Sequence, residues 1–334
     1  MQYRNLGNSG LEISVIGLGT WAIGGGDWKF GWGDQNEVDA VSTIVRAVEL
    51  GINWIDTAAV YGLGLSEETV GKALKLIPEE SRPIVATKCG RTNLGGGEIG
   101  KCLKRDSIIA ECEGSLKRLD VDCIDLYQMH WPEPDEDIEE GWQTLVDLKQ
   151  QGKVRHIGVS NHSVEQLKRL QQIHPITSLQ PPYSMIAPEV EESILPHCGE
   201  QNIGVICYSP MGKGLLTGSF TPERAAALSE KDHRSRDPRF QPPQLEINLR
   251  FVAALKAIAD DLGWSVPELS IAWVLRRSEL TSAIVGARHP DQLTATVKAG
   301  DRVLAEDAQQ AVDAAISERD RELNELGNVD KPYV

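Results

Sequence analysis

The sequence predicts an α/β fold of the (β/α)8 TIM-barrel class, with an N-terminal β-hairpin and an extra C-terminal helix. Three observations lead there. Eight short apolar runs alternate with longer amphipathic segments. The runs are rich in Val and Ile and lack strict alternation, as expected of parallel strands buried on both faces. The chain has 334 residues, which suits one barrel-sized domain over 1–334 better than two small ones. No shift in composition marks a second domain.

Taken in order, Met1–Ser14 carries turn signals at Asn5–Gly10 between two short alternating stretches, the pattern of a small hairpin outside the main repeat. The apolar runs are Val15–Gly19, Asn53–Asp56, Ile84–Lys88, Ile124–His130, His156–Ser160, Thr177–Gln180, Val205–Tyr208 and Ser282–Gly286. Between them, Val38, Val41, Ile44, Val45 and Val48 recur at helical spacing before Gly51. Ile108, Cys112, Ser115, Leu116 and Leu119 repeat that spacing, as do Trp142, Leu145, Val146 and Lys149 ahead of Gly152. Such alternation calls for a parallel sheet with right-handed crossovers, open or closed. Gly90–Arg105 reads as a glycine-rich loop, and Gly212–Asn248 as a long irregular segment of the kind that forms lids or binding loops. Ala305–Leu326 is a final helix outside the repeat.

Composition excludes several functions. A net charge of −15 argues against nucleic-acid binding, which needs concentrated Lys and Arg. No run approaches the roughly 20 apolar residues of a membrane span, and the N-terminus shows no signal peptide. The six cysteines form no C-x-x-C pair and suggest neither a metal site nor a disulfide framework. A cytoplasmic setting is the expectation, and oligomeric state is not legible.

Three motifs are set aside. Gly17-Leu18-Gly19-Thr20-Trp21-Ala22 matches the dinucleotide fingerprint, yet a pyrophosphate site needs a helix opening there, and Gly24–Gly26 instead continue a loop. Gly95–Cys102 nearly spells a P-loop, but Cys102 stands where a hydroxyl should bind Mg²⁺. Asn161-His162-Ser163 is a glycosylation sequon without a secretion signal.

The chemistry lies elsewhere. Asp56, Lys88 and His130 stand where three apolar runs end, and in a parallel barrel all strand C-termini meet at one catalytic face. Tyr61 lies in the loop that opens over that face. Singly, each has a dull explanation: Asp56 capping its loop, Lys88 reaching solvent, His130 satisfied in the core, Tyr61 packing the mouth. Together they make a site for protonating a developing alkoxide. A half-buried Lys needs a partner, and Asp56 supplies one. A Tyr hydroxyl, with pKa near about 10, is a poor acid at neutral pH; the neighbouring ammonium is expected to lower that value. His130 would hydrogen-bond and orient a carbonyl oxygen. With no nucleophile or metal cage in view, hydride must come from a cofactor.

At this point the chain resembles the aldo-keto reductase family. The matching words are Gly17–Trp21, Asp56-Thr57-Ala58 with Tyr61-Gly62 and Ser66-Glu67, Thr87-Lys88, Asp125-Leu126-Tyr127 with His130, and Gly158–Asn161. They continue with Tyr208-Ser209-Pro210, Gly214–Gly218 and Gly286-Ala287-Arg288 with Gln292, so the resemblance spans nearly the whole chain in order. His130–Pro134, Gln180–Tyr183 and Asp237–Phe240 look like the bacterial subgroup that includes a reductase linked to inositol catabolism.

The resemblance implies an NADPH-dependent reductase of aldehydes or ketones, with small carbonyl or alcohol compounds as its partners. Tyr61 would be the general acid, tuned by Lys88 and Asp56, and His130 would position the carbonyl. Ser160, Asn161 and Gln180 would hold the nicotinamide carboxamide, and Tyr208 would stack beneath the ring. Ser209, Pro210, Met211, Gly212, Lys213, Gly214 and Leu215 would follow the pyrophosphate. Thr20, Trp21 and Asp56 would border the cofactor, and Gly286, Arg288, Gln292 and Thr296 would receive its adenosine end. NADPH rather than NADH rests on Arg288, whose guanidinium suits a 2′-phosphate; Thr296 departs from the family's usual Asn and implies an altered adenine contact. Trp21, Trp28, Trp32 and Trp131 are candidates for the pocket wall. The competing class is a cofactor-sensing regulatory subunit, as in the potassium-channel β-subunits that share this fold and tetrad; co-purification with a membrane partner would mark it.

Overall fold

The computed structural model describes residues 1–26 and 28–327. Residues 328–334 of the predicted single-domain span lie outside the described residues. Strands β1 (Tyr3–Asn5) and β2 (Glu12–Ser14) form the expected antiparallel hairpin, Tyr3 facing Ser14. The hairpin lies across the starts of the barrel strands: Arg4 donates to the carbonyls of Leu275 and Leu280, and Leu6 and Ile13 pack with Trp54, Leu126, Ile206 and Ile284. Gly7 makes this approach possible, because a Cβ there would fall 2.4 Å from the Gly204 nitrogen.

The barrel strands are β3 (Ile16–Gly19), β4 (Trp54–Asp56), β5 (Ile84–Cys89), β8 (Ile124–Met129), β9 (Val154–Ser160), β10 (Ser178–Gln180), β11 (Gly204–Cys207) and β12 (Leu280–Gly286). All pair in parallel, and the sheet closes through the β9–β10 and β12–β3 pairs. The sheet is therefore closed, not open. Each apolar run of the sequence maps to one strand, displaced at its ends by at most two residues. Inside the barrel Gly17 faces the Trp54 indole, where a Cβ would lie 2.1 Å from the ring. That glycine accommodates a tryptophan. The chain after it turns through a 3-10 segment, Trp21–Ile23, so no helix opens there, as the motif's context foretold.

Helices α1 (Glu37–Glu49), α2 (Leu65–Leu76), α3 (Arg105–Leu119), α4 (Ile138–Gln150), α5 (Val164–Gln171) and α6 (Ile194–Glu200) connect the first strands. Their ends carry the expected signals. Asn36 caps α1 by accepting from the Val38 and Asp39 N–H groups, and Ser163 with Gln166 forms a capping box on α5. After β11 come the short α7 (Pro222–Ala226), α8 (Gln244–Asp261) and α9 (Val266–Leu275); α10 (Pro290–Thr296) follows β12. The extra C-terminal helix is α11 (Glu306–Glu325), packed on α8, with Arg319 donating to Asn248 at 2.7 Å.

Two expectations need correcting. Gly90–Arg105 is largely a second hairpin, β6 (Arg91–Gly95) with β7 (Glu98–Lys101). Gly95, Gly96 and Gly97, all at positive φ, form its turn, which accounts for the glycines of the false P-loop. Gly212–Asn248 is not uniformly irregular. It holds three 3-10 turns and α7, and α8 begins within it at Gln244.

Candidate active site

Strands β4, β5 and β8 are neighbours in the barrel, so their C-terminal ends bring Asp56, Lys88 and His130 together. Lys88 is 1% exposed and Asp56 3%, which rules out a solvent-facing lysine. The Lys88 ammonium donates to Asp56 Oδ1 at 2.7 Å, Asp56 Oδ2 at 2.8 Å and the Thr57 carbonyl at 2.8 Å. Its fourth contact is the Tyr61 hydroxyl, at 3.3 Å. Gln180 adds an N–H to Asp56 Oδ1 at 2.8 Å. The His130 ring meets Tyr61 edge-on, with centroids 5.6 Å apart.

The Tyr61 turn is placed by backbone packing. Gly62 sits at φ +59 against Gly24, where a Cβ would lie 2.0 Å from the Gly24 carbonyl oxygen. Thr20 and Ser66 brace the other side. The Ser66 hydroxyl lies 2.7 Å from Thr20 Oγ1 and 2.9 Å from Thr57 Oγ1, and Thr20 donates to the Asp56 carbonyl at 2.9 Å.

Burial dominates the electrostatics. It raises the Asp56 carboxyl against the pull of Lys88, and lowers the Lys88 ammonium against the pull of Asp56. Their mutual charge and hydrogen bonds, with one more from Gln180 to Asp56, oppose these shifts. Tyr61 departs from expectation: burial first, then the Asp56 charge, push its phenol well above the usual value. Lys88 thus does not lower it in the resting site, and Tyr61 stays protonated. Burial, reinforced by Lys88 and Arg91, pushes His130 well below its usual value, so the imidazole is neutral. Its Nδ1 is buried without a partner, which leaves Nε2 to meet a ligand.

The next three strand ends continue the site. Ser160, at the end of β9, donates to the Gln180 carbonyl at 2.7 Å. Asn161, in a left-handed conformation at φ +63, donates to the His130 carbonyl and to Ser160 Oγ, both at 3.0 Å. Tyr208 donates to Asn161 Oδ1 at 2.9 Å. Gln180 is engaged with Asp56, so it joins the tetrad network directly.

Beyond Tyr208 the chain coils tightly. Ser209, Gly212, Lys213 and Gly214 all have positive φ, while Pro210 and Leu215 are buried and Met211 half-buried. The Gly212 and Gly214 N–H groups close the coil on the Ser209 and Met211 carbonyls, at 2.9 and 3.0 Å. Lys213 is tied to Asp237, 3.2 Å away. At the far end, Gly286 is exposed, and the Arg288 N–H donates to Gln292 Oε1 at 2.7 Å. Thr296 is buried, and its hydroxyl returns to the Gln292 and Leu293 carbonyls of its own helix. The arc from Ser160 through the coil to Arg288 offers amide, aromatic, ammonium and guanidinium groups in sequence, a donor set that fits a nicotinamide dinucleotide.

Of the four tryptophans, three gather near Tyr61. Trp21 stacks 4.8 Å from His233 and 6.3 Å from Tyr61, Trp32 meets Trp21 edge-on at 5.3 Å, and Trp28 lies 6.2 Å from Tyr61. Trp131 instead packs under Arg91, 5.5 Å away. His233 was not among the sequence candidates, because it lies in an aperiodic stretch with nothing to place it. Among the described residues no cluster of His, Cys, Asp and Glu could hold a metal, and no helix is long and apolar enough to cross a membrane.

Comparison with known proteins agrees with this geometry. The model for the aldo/keto reductase family matches residues 15–317. The chain is 39% identical over 296 residues to aldo-keto reductase YhdN of Bacillus subtilis, covering 88% of this chain and 87% of that one. It is 34% identical over 306 residues to the NADH-specific methylglyoxal reductase of Escherichia coli, covering 88% and 92%. Among solved structures, glycerol dehydrogenase AKR11B4 from Gluconobacter oxydans is 35% identical, with a TM-score of 0.85 over 99% of this chain and 98% of that one.

Proposed function

The chain belongs to the aldo/keto reductase family, and on that premise we propose that it reduces aldehydes or ketones to alcohols with NADPH, Tyr61 acting as general acid. The observation that carries this reading is the Lys88 ammonium, held between Asp56 and the Tyr61 hydroxyl in a buried pocket.

When bound, the dinucleotide supplies the hydride to the carbonyl carbon; the residues of this chain manage the oxygen. His130 is neutral, and with its ring proton on Nε2 it would donate to the carbonyl oxygen and orient it. Tyr61 keeps its proton until negative charge develops on that oxygen, and then transfers it. The phenolate left behind lies 3.3 Å from Lys88, whose charge stabilises it. Asp56 keeps Lys88 protonated and fixed. The same groups run alcohol oxidation in reverse. Ser160, Asn161 and Gln180 would hold the carboxamide, Tyr208 the ring, residues 209–215 the pyrophosphate, and Gly286, Arg288 and Gln292 the adenosine end.

The choice of NADPH over NADH rests on Arg288, since a fixed cation after the last barrel strand favours a 2′-phosphate. One relative, from Escherichia coli, is named an NADH-specific methylglyoxal reductase. A panel of aldehydes and ketones tests the proposal, with NADPH consumption matched to alcohol formed. Stoichiometric turnover supports it; no turnover, with no thermal shift on adding NADPH, removes it.

A further inference from the structure

Arg288 is held from the opposite side of the barrel seam by a residue to which no role has yet been given. Strands β12 and β3 pair along their length, so the loops that follow them meet although 253 positions separate Gln35 from Arg288. The Gln35 side chain grips Arg288 twice. Its Oε1 accepts from Arg288 Nε at 2.7 Å, and its Nε2 donates to the Arg288 carbonyl at 3.1 Å. The same Nε2 lies 3.1 Å from the Asn36 carbonyl, which ties the amide to the start of α1. With Gln292 accepting from the Arg288 N–H, the residue is clamped at N–H, carbonyl and Nε.

The terminal nitrogens are directed as well. Nη1 donates to the Trp32 carbonyl at 3.0 Å, and Nη2 donates to the Asp34 carbonyl. A guanidinium carries five N–H donors, and three are spent on this loop. One remains on each terminal nitrogen, a pair suited to an anion. A long side chain loses rotamer freedom when it grips a phosphate, and a partner on Nε meets that cost in advance.

We propose that Gln35 is a positioning residue for Arg288 and a determinant of discrimination between the phosphorylated and unphosphorylated dinucleotide. The inference rests on the assignment of Arg288 to the 2′-phosphate. It predicts that loss of Gln35 weakens NADPH and leaves NADH alone, since only the phosphate reads the guanidinium. Gln35 is also the cleaner probe. Arg288 itself anchors Trp32, whose ring packs on Trp21 and His233, so truncating Arg288 disturbs the aromatic wall too. The two terminal-nitrogen contacts go to backbone carbonyls, acceptors that replacing the Gln35 side chain does not remove.

Dissociation constants for NADPH and NADH, from quenching of tryptophan fluorescence, test this in the full chain. The set is wild type, Gln35→Ala, Gln35→Met, Arg288→Ala and the Gln35→Ala/Arg288→Ala double variant; Gln35→Met keeps the side-chain bulk without its hydrogen bonds. The expected result is about a tenfold loss of NADPH affinity in either Gln35 variant, the size of one hydrogen bond to a charged group. NADH affinity should stay within about twofold, and Gln35→Ala should add nothing once Arg288 is gone, because the two act as one unit. If Arg288→Ala abolishes discrimination while both Gln35 variants retain it, the positioning role is overturned and the Arg288 assignment stands. Equal weakening of NADPH and NADH by the Gln35 variants also overturns it, since that marks a merely structural residue. A wild-type protein that does not discriminate overturns both readings.

Discussion

Replacing Asp56 by Asn keeps the shape of the buried pair and removes its negative charge. Lys88, 1% exposed, then loses its counter-charge and one of two carboxylate acceptors, and keeps only neutral partners: the amide oxygen, the Thr57 carbonyl and the Tyr61 hydroxyl. Breaking a buried ion pair by removing one member costs about 3–5 kcal/mol. Unfolding entropy of roughly 2.1 cal/mol/K per residue gives about 0.7 kcal/mol/K for 334 residues. The melting temperature should therefore fall by about 4–7 °C near neutral pH. The loss should also depend on pH with a definite sign. Burial already lowers the Lys88 pKa, and without Asp56 it falls further, while the unfolded lysine titrates near about 10.4. Between those values the unfolded chain binds the extra proton, so the variant gains stability as pH rises. Thermal denaturation followed by circular dichroism at pH 6 and pH 9, wild type beside variant, should show the gap narrowing at the higher pH. A deficit below about 2 °C that ignores pH would refute the reading of Lys88 as a cation held by Asp56.

The cofactor end, the turn that carries Tyr61 and one half-buried carboxyl offer further tests. Arg288→Ala should weaken NADPH by about 10- to 100-fold, the scale of charge-assisted hydrogen bonds, with little change for NADH; equal losses in a binding titration would contradict the 2′-phosphate assignment. Gly62→Ala should cut turnover sharply, since the new Cβ must displace the Gly24 backbone and adopt φ +59; turnover like wild type would show that the turn does not set the Tyr61 position. Glu111, pushed up to about 7 chiefly by burial, binds a proton in the folded chain that the unfolded chain has released. Stability should therefore decline as pH rises from about 4.5 through 7. Glu111→Gln should flatten that part of the melting-temperature profile, and an unaltered profile would count against it.

The strands were legible because both faces are buried, which turns each into a near-continuous apolar run; Val205–Cys207 and Ser282–Val285 are examples. The runs alone left closure open, because pairing of β12 with β3 leaves no mark on either; the barrel expectation rested on chain length and on the family resemblance. The β6–β7 hairpin was hidden by the three glycines of its own turn, which also read as an irregular loop. Pro242 and Pro243 hid the start of α8, since they end one conformation immediately before the next begins. Asp56, Lys88 and His130 stood out as polar residues at the ends of apolar runs. The bond from Gln180 to Asp56 and the grip of Gln35 on Arg288 depend on which strands become neighbours around the barrel. The direction of the Tyr61 shift was misjudged for a related reason: a neighbouring ammonium can be guessed from sequence, but the depth of burial that outweighs it cannot.

The central claim is that Tyr61 delivers the proton in a carbonyl reduction. Its most direct test is turnover of the Tyr61→Phe variant with NADPH, across several aldehydes and ketones, beside NADPH affinity measured on the same sample. The expected rate is lower by about 10²- to 10⁴-fold, the usual contribution of a positioned acid, with NADPH bound as in the wild type. Turnover close to wild type on several substrates, with binding intact, would contradict it.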